Sequence, residues 1–271
     1  MDVTSQLEWP AGLQDPSGCR QAKPRNQGIT MVIDKGLGLH AFEDLLHTAA
    51  PYIDLIKLGF GTSPLYPAEL LKTKLQMARQ AGIETMPGGT FLEVAVVQGE
   101  VENCYRLIRE LGYTAIEVSD GTIDLSRSKR DELIGRGLNA DLKVYTEYGK
   151  KYWGSKIELD LLIETVIEDV QQGAALVTIE ARESGEGVGI FDEKGVCRDD
   201  MLHSMIRLFP DPERVLWEAP QKSQQVHLLK KLGPGVHLGN IAPQDVFALE
   251  TLRRGLRSDT LVWDALPANP S

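Results

Sequence analysis

Acidic and basic side chains recur in this sequence at one kind of place, the end of a short apolar run. Glu117 stands in A-I-E-V, Glu147 in K-V-Y-T-E-Y, Glu180 closes A-L-V-T-I-E, and Glu218 closes R-V-L-W-E. Cations hold matching places: Lys35 follows T-M-V-I-D, Lys57 lies within L-I-K-L, Lys150 and Lys151 follow T-E-Y-G, and Arg182 follows I-E-A. If these runs are β-strands, alternate side chains share a face, and all four glutamates can point to one side while their apolar neighbours take the other. Gathering four carboxylates out of water is costly for every uncompensated ion. Lys35, Lys57, Lys151 and Arg182 are available partners, and an oxygen-binding divalent ion such as Mg2+ would complete the balance. The chemistry of such a set is stabilisation of an anion and movement of a proton.

Other candidates stand at similar run ends. Asp34, Ser119 and Asp120 follow apolar residues, and Asn240 ends the last run, G-V-H-L-G-N. P-G-G-T places Gly88, Gly89 and Thr90 at the start of a helical stretch, and A-P-Q-K-S-Q-Q does the same for Lys222 and Ser223. Free backbone N–H groups at such helix starts attract phosphate. A solvated first-turn lysine is an equally good reading of Lys222, and an ion pair that merely orders the site is an equally good reading of each acid.

Several chemistries are disfavoured. Among the five histidines no H-E-x-x-H pair occurs, and no G-x-S-x-G elbow offers a serine nucleophile. The three cysteines, Cys19, Cys104 and Cys197, lack metal-ligand spacing and fit a reducing compartment. G-E-G-V-G departs from the dinucleotide fingerprint G-x-G-x-x-G. A formal charge of -10, from 29 basic and 39 acidic residues, argues against nucleic acid or an anionic membrane as the main partner. The N-terminus has no apolar signal region and no run approaches a membrane span, so a cytoplasmic location is expected.

The elements that must position these residues follow from periodicity. Eight short apolar runs alternate with amphipathic stretches, such as 41–50 and 161–173, whose apolar residues recur at spacings of three and four. Eight strands and helices in roughly 240 residues predict an α/β protein of the (β/α)8 TIM barrel type, with a doubly wound open sheet as the alternative. The barrel is expected over 29–262, after an N-terminal arm at 1–28 rich in Pro, Gly and Gln, and before a C-terminal tail at 263–271. The bland expectation for the arm is a poorly ordered end. In such barrels chemistry sits where the strands end, so the charged run ends would ring one mouth. The glycine-rich stretch 183–189 reads as a flexible rim loop, either a mobile lid or a long turn.

In order, V-I-D-K-G, D-L-I-K-L-G-F-G-T-S, P-G-G-T, E-V-S-D-G, T-E-Y-G-K-K, I-E-A-R-E-S-G-E-G-V-G-I-F-D, E-A-P-Q-K-S-Q-Q and L-E-T-L-R-R-G-L-R-S-D-T resemble the phosphosulfolactate synthase family over approximately 29–261. The resemblance implies a barrel enzyme of the carbon-sulfur lyase class that adds sulfite to phosphoenolpyruvate with Mg2+. The product, (2R)-phospho-3-sulfolactate, leads to coenzyme M or sulfolactate. It implies Lys151 as the general acid, with Lys150 as second choice, and Lys35, Lys57 and Arg182 as holders of the anions. It makes Glu147, Glu180 and Glu218 candidate metal ligands, with Asp34, Glu117 and Asp120 behind them, and it implies a homo-oligomer. The family's second-strand tryptophan is Phe60 here, and the arm is longer than the family leads one to expect. Two other readings stay open: a Schiff-base aldolase using Lys151 or Lys57, and a protective, non-catalytic role like that implied for the related plant heat-stress-associated proteins.

Overall fold

The computed structural model describes residues 9–261 of the chain. Eight strands, β1 (Thr30–Asp34), β2 (Leu55–Leu58), β3 (Glu84–Pro87), β4 (Ala115–Val118), β5 (Lys143–Tyr148), β6 (Leu176–Ile179), β7 (Val215–Glu218) and β8 (His237–Ile241), run parallel in the order β3-β2-β1-β8-β7-β6-β5-β4. The ring closes between β3 and β4, where Thr114 N donates to Thr85 O at 3.2 Å and Thr85 N donates to Thr114 Oγ1 at 2.8 Å. This is the (β/α)8 barrel, and the open-sheet alternative falls because the two end strands of that order, β3 and β4, meet.

The helices are α1 (Ala11–Gln14), α2 (Leu39–Ala49), α3 (Ala68–Gln80), α4 (Gly89–Gln98), α5 (Val101–Leu111), α6 (Arg127–Asn139), α7 (Leu159–Gln171), α8 (Asp199–Leu208), α9 (Lys222–Leu232) and α10 (Val246–Arg253). Their buried faces follow the 3.6-residue period. On α3, for example, Leu71, Lys74, Leu75 and Ala78 are buried. Gly99 and Gly112, both with left-handed backbone, end α4 and α5.

Strand alternation sorts the core into two sets. Met31, Leu55, Met86, Ala115, Tyr145, Leu176 and Leu216 fill the barrel interior, while Val32, Ile56, Ile116, Val144, Val177 and Trp217 pack outward with the helices. Two residues further along their strands from Leu55, Ala115, Tyr145 and Leu216 stand Lys57, Glu117, Glu147 and Glu218, so the interior turns from apolar to charged towards the strand ends.

Asp34 corrects a sequence expectation. It shares the outward parity of Val32, is fully buried, and takes the Lys74 ammonium of α3 at 2.5 Å. Its other oxygen accepts from the backbone N–H groups of Gly36 and Leu37 at 2.8 and 2.7 Å. It bolts β1 to α3 and is not placed to bind a metal in the interior.

The described part of the arm is also not the loose end that its composition suggests. Arg20 pairs with Glu250 at 3.0 Å and Arg25 with Asp54 at 2.9 Å. Ser17 N donates to Arg254 O at 3.1 Å, and Gly28 N to Gly235 O at 2.6 Å. Asp54 and Gly235 lie just before β2 and β8, and Glu250 and Arg254 lie at the end of α10, whose Arg253 bonds Pro234 O and Ile29 O beside the starts of β8 and β1, so the segment covers the end of the barrel opposite the charged mouth. The tail proposed at 263–271 lies outside the described residues. Among the described residues no helix is long and apolar enough to cross a membrane.

Candidate active site

A cavity of about 280 Å³ opens at the C-terminal ends of the strands. Its walls include Lys57, Gly88, Gly89, Thr90, Glu117, Glu147, Lys151, Glu180, Arg182, Glu218 and Asn240, from seven different strands and the loops after them. The four glutamates that alternation aimed inward therefore share one cup with two of the expected lysines and the arginine.

Lys57 is the hub of the cup floor. Its Nζ lies 2.9 Å from Glu218, 3.2 Å from Glu117 and 3.6 Å from Glu147, and the side chain is buried. All its nearby partners are carboxylates, so in this arrangement it holds the acids together and does not point at an incoming anion. Lys151 sits higher, with Glu147 at 2.8 Å, Glu180 at 3.5 Å, Glu93 at 3.7 Å and Thr90 Oγ1 at 3.1 Å. Three of the four non-glycine residues with positive φ among the described residues, Phe60, Arg182 and Asn240, line the cup. Such backbone strain gathers where surrounding contacts fix a side chain for a task. Asn240 Nδ2 donates to Arg182 O at 3.2 Å, while its buried Oδ1 has no partner.

Electrostatics set the cluster in tension. Burial pushes the Glu117 carboxyl up to about 7 against the pull of Lys57. Burial, then the charges of Glu147 and Glu218, hold Glu180 well above the usual carboxylate range. Glu147 is also penalised by burial, but Lys151 and Lys57 prevail and bring it down to about 2. Burial disfavours the charge on Lys57 and Lys151, yet the surrounding glutamates overcome it and raise both ammonium groups above the ordinary lysine range. With more acids than bases in the cup, burial and mutual repulsion favour the protonated form of Glu117 and Glu180. Carboxylate oxygens of Glu147, Glu180 and Glu218 lie within 4.8 Å of one another. Glu147 Oε1 and Glu180 Oε2, both buried, have the Lys151 ammonium beside them at 2.8 and 3.5 Å.

A family profile described as (2R)-phospho-3-sulfolactate synthase matches residues 18–259. The chain belongs to this family. Phosphosulfolactate synthase of Methanothermobacter thermautotrophicus is 43% identical over 89% of this chain and 94% of its own length. The enzyme of the same name from Methanocaldococcus jannaschii is 40% identical over 86% of this chain and 94% of its own length. The heat-stress-associated protein of Arabidopsis thaliana is 20% identical, over 86% of this chain and 88% of its own length. Among solved structures, 3-hexulose-6-phosphate synthase from Salmonella typhimurium superposes with a TM-score of 0.53 at 14% identity, covering 82% of this chain and 97% of that one, a likeness of fold alone. The family match begins at residue 18, inside the segment that packs on the barrel, whereas the motifs begin near Ile29.

Within this family of enzymes, the structure separates the expected site residues into those in the cup and those beside it. Lys150, adjacent to Lys151 in sequence, turns away: its Nζ donates to Asp120 O, Ile123 O and Asp124 Oδ1 at 2.7–2.8 Å. Asp120 pairs with Arg130 at 3.2 Å. Both line a separate cleft by α6 and α7, whose Arg130 is already committed to Asp169 at 2.6 Å. Neither is placed as a substrate or metal ligand of the cup. Lys35 stands at the rim, half exposed and 3.3 Å from Glu183, itself a cup residue.

The helix starts also differ from expectation. Gly88, Gly89 and Thr90 do line the cup, but Gly89 N–H is taken by Glu117 at 2.7 Å, so that donor orients a carboxylate. An added Cβ on Gly88 would lie 2.8 Å from the Phe60 backbone, and one on Gly89 would lie 2.8 Å from Ser119, which explains the glycine pair by close approach. Lys222 and Ser223 are exposed and outside the cup, and Lys222 pairs with Asp259 at 2.9 Å. Lys222→Ala is therefore expected to leave kcat and the substrate KM unchanged in steady-state kinetics. A KM raised about tenfold would return Lys222 to the site.

The rim loop, read as a mobile lid or a long turn, is closely packed over its glycines. Gly185, Gly187, Gly189, Val188, Ile190 and Phe191 are all buried. A Cβ at Gly189 would lie 2.2 Å from Glu180 O, and one at Gly187 would meet the Trp153 ring at 2.9 Å, so positive φ and close packing both demand glycine.

Sequence reasoning missed Glu93, Gln221 and Gln224. Glu93, buried on α4, fastens the Ser119 hydroxyl and accepts from Thr122 N at 2.8 Å, beneath Lys151. A lone acid inside the apolar stretch T-F-L-E-V-A-V-V was the available signal. Cys197 also comes within 4.8 Å of Asp199 and His227, a proximity invisible in the spacing. There, however, Asp199 is already engaged by His227 at 2.6 Å and Lys231 at 3.1 Å, and burial pushes the thiol up to about 12.

Proposed function

We propose that the chain catalyses Mg2+-dependent addition of sulfite to phosphoenolpyruvate, giving (2R)-phospho-3-sulfolactate. The observation that carries this reading is the placement of Lys151 against a buried trio of carboxylates, Glu147, Glu180 and Glu218, at the mouth of the barrel, with the exposed Arg182 on the same cavity wall. Hard oxygen donors lying within 4.8 Å of one another suit Mg2+ rather than a thiophilic ion. Those three glutamates would hold the ion, with Glu117 as a neighbour oriented by Gly89 and Lys57. When bound, Mg2+ supplies positive charge to the substrate carboxylate.

The remaining work falls to the chain's own groups. Arg182 and Lys151 offer cations to the substrate's anionic groups, with Lys35 at the rim. The sulfur lone pair forms a bond to the methylene carbon, the π pair of the double bond moves towards C2 and its carboxylate, and Lys151 delivers one proton to C2. The neutral amine then regains a proton from solvent. The neighbouring carboxylates, Glu147 foremost, keep Lys151 in its protonated form, so it holds the proton to be delivered. A Schiff-base reading has little support, since imine-forming lysines need a lowered pKa and both cup lysines are raised.

Incubation of the purified protein with phosphoenolpyruvate, sulfite and Mg2+, followed by phosphorus NMR and mass spectrometry, is expected to show phosphosulfolactate forming as phosphoenolpyruvate disappears. No product with Mg2+ present, together with capture of heat-aggregated protein, would turn the assignment towards the protective role of the plant relative. Trapping of a keto-acid adduct on Lys57 or Lys151 by borohydride would turn it towards an aldolase.

A further inference from the structure

The motif E-A-P-Q-K-S-Q-Q gave its lysine and serine to solvent, but its glutamines enter the protein. Gln224 is 1% exposed. Its Nε2 donates to Gly185 O at 2.7 Å and Gly195 O at 3.1 Å, joining both arms of the rim loop, and its Oε1 accepts from Gln221 N at 3.1 Å. Gln221 Nε2 in turn donates to Ser184 O at 2.7 Å and Glu186 Oε1 at 3.2 Å. The fit is close on both sides: a Cβ at Gly185 would lie 2.5 Å from the Gln224 amide, and one at Gly195 would lie 2.9 Å from that of Gln221.

What this clamp holds matters for the cup. Arg182 and Glu183, both cup residues, lead directly into Ser184 and Gly185. At the far side of the loop, Gly154 N donates to Gly187 O at 3.0 Å and the Trp153 ring packs on Gly187, two residues beyond Lys151. The loop thus bridges the segments that deliver Arg182 and Lys151, and α9 is its fixed support.

We propose that Gln221 and Gln224 are positioning residues, which set the placement of Arg182 and Lys151 by clamping the backbone of the loop 183–197 onto α9. The proposal rests on the activity proposed above. Neither glutamine lines the cup. They act through the carbonyls of Ser184, Gly185 and Gly195, which would be left without donors if the amides were removed.

Gln224→Met keeps the length of the side chain and deletes its donors. This variant is expected to lower kcat by about tenfold to a hundredfold and to raise KM for phosphoenolpyruvate, as a displacement of roughly 1 Å at reacting groups does. Backbone amides of 184–197 should exchange with deuterium faster, while the stabilisation by Mg2+ in thermal melts stays. Gln224→Glu is the sharper variant, because it keeps the shape but turns a second acceptor towards two carbonyls, and it should fail as Gln224→Met does. A role in filling space alone predicts that Glu restores activity, and that result would overturn the proposal. So would unchanged kcat and KM in Gln224→Met, whether or not the loop exchanges faster. If Gln224→Met does not fold, Gln221→Met at its part-exposed position carries the same test. Should the wild-type chain show no turnover, the activity assignment fails by itself. The clamp is then judged by calorimetric binding of phosphoenolpyruvate, which Gln224→Met should weaken and which must not be identical to wild type.

Discussion

Lys151→Met is expected to lower kcat by about a thousandfold, close to 4 kcal/mol of transition-state stabilisation, within the range for a positioned proton donor. The methylene stem should survive the change, since it packs against Gly121, where an added Cβ would meet it at 2.9 Å. Met fills the same channel, so the far-ultraviolet circular dichroism spectrum should match wild type. Electrostatics point the same way: deleting the ammonium leaves Glu147 and Glu180 short of a partner, and they answer by binding a proton or a cation more tightly. Mg2+ affinity, read from thermal melts, should therefore hold or rise while turnover collapses. Activity within about tenfold of wild type would remove Lys151 from the chemistry.

The second large effect concerns the carboxylates and is visible without any substrate. Glu117 and Glu180 have pKa values raised in the folded chain, so the folded state binds more protons than the unfolded one once pH exceeds the ordinary glutamate value near 4.5. For groups of this sign, metal-free stability falls as pH rises from that value towards about 7, the range through which Glu117 loses its proton. Glu147 has the opposite sign, and its contribution is lost only as pH falls from about 4.5 towards about 2. Mg2+ competes with the protons, so its stabilising effect should be larger near pH 8 than near pH 6. At a hundredfold excess over its dissociation constant it is worth about 2.7 kcal/mol, roughly 5 °C or more in melting temperature.

Glu180→Gln and Glu147→Gln should each abolish that shift and lower kcat by about a thousandfold, and a chelator should silence the wild type. Without metal, Glu180→Gln should be at least as stable as wild type near pH 8, because a carboxylate held among like charges has been removed. Glu147→Gln, which removes the partner of Lys151, should be less stable. Identical melting shifts with Mg2+ in wild type and both variants would place the ion elsewhere.

The divide between what was legible and what was not runs through neighbouring residues. Lys150 and Lys151 are equivalent in the string T-E-Y-G-K-K, yet one is bound to the loop after β4 and the other stands among Glu147, Glu180 and Thr90. In Q-K-S-Q-Q the charged residue attracts attention, whereas the neutral Gln224 is the one that is buried. Glycines in S-G-E-G-V-G signal freedom to a reader of sequence, but in space they record close packing against Gln224, Trp153 and Glu180 O.

The sequence alone determined the eight strands, the barrel and the inward aim of Glu117, Glu147, Glu180 and Glu218, because alternation and helical period are local properties of the backbone. Its ordered motifs also determined the family. Only the tertiary structure decided that Asp34 serves α3, that Lys57 sits at the centre of three carboxylates, that Glu93 reaches Ser119 from a helix, and that two glutamines of α9 hold the rim. Those contacts join residues 26 to 161 positions apart, and separations across a closed barrel depend on how all eight strands register together, which no local pattern encodes.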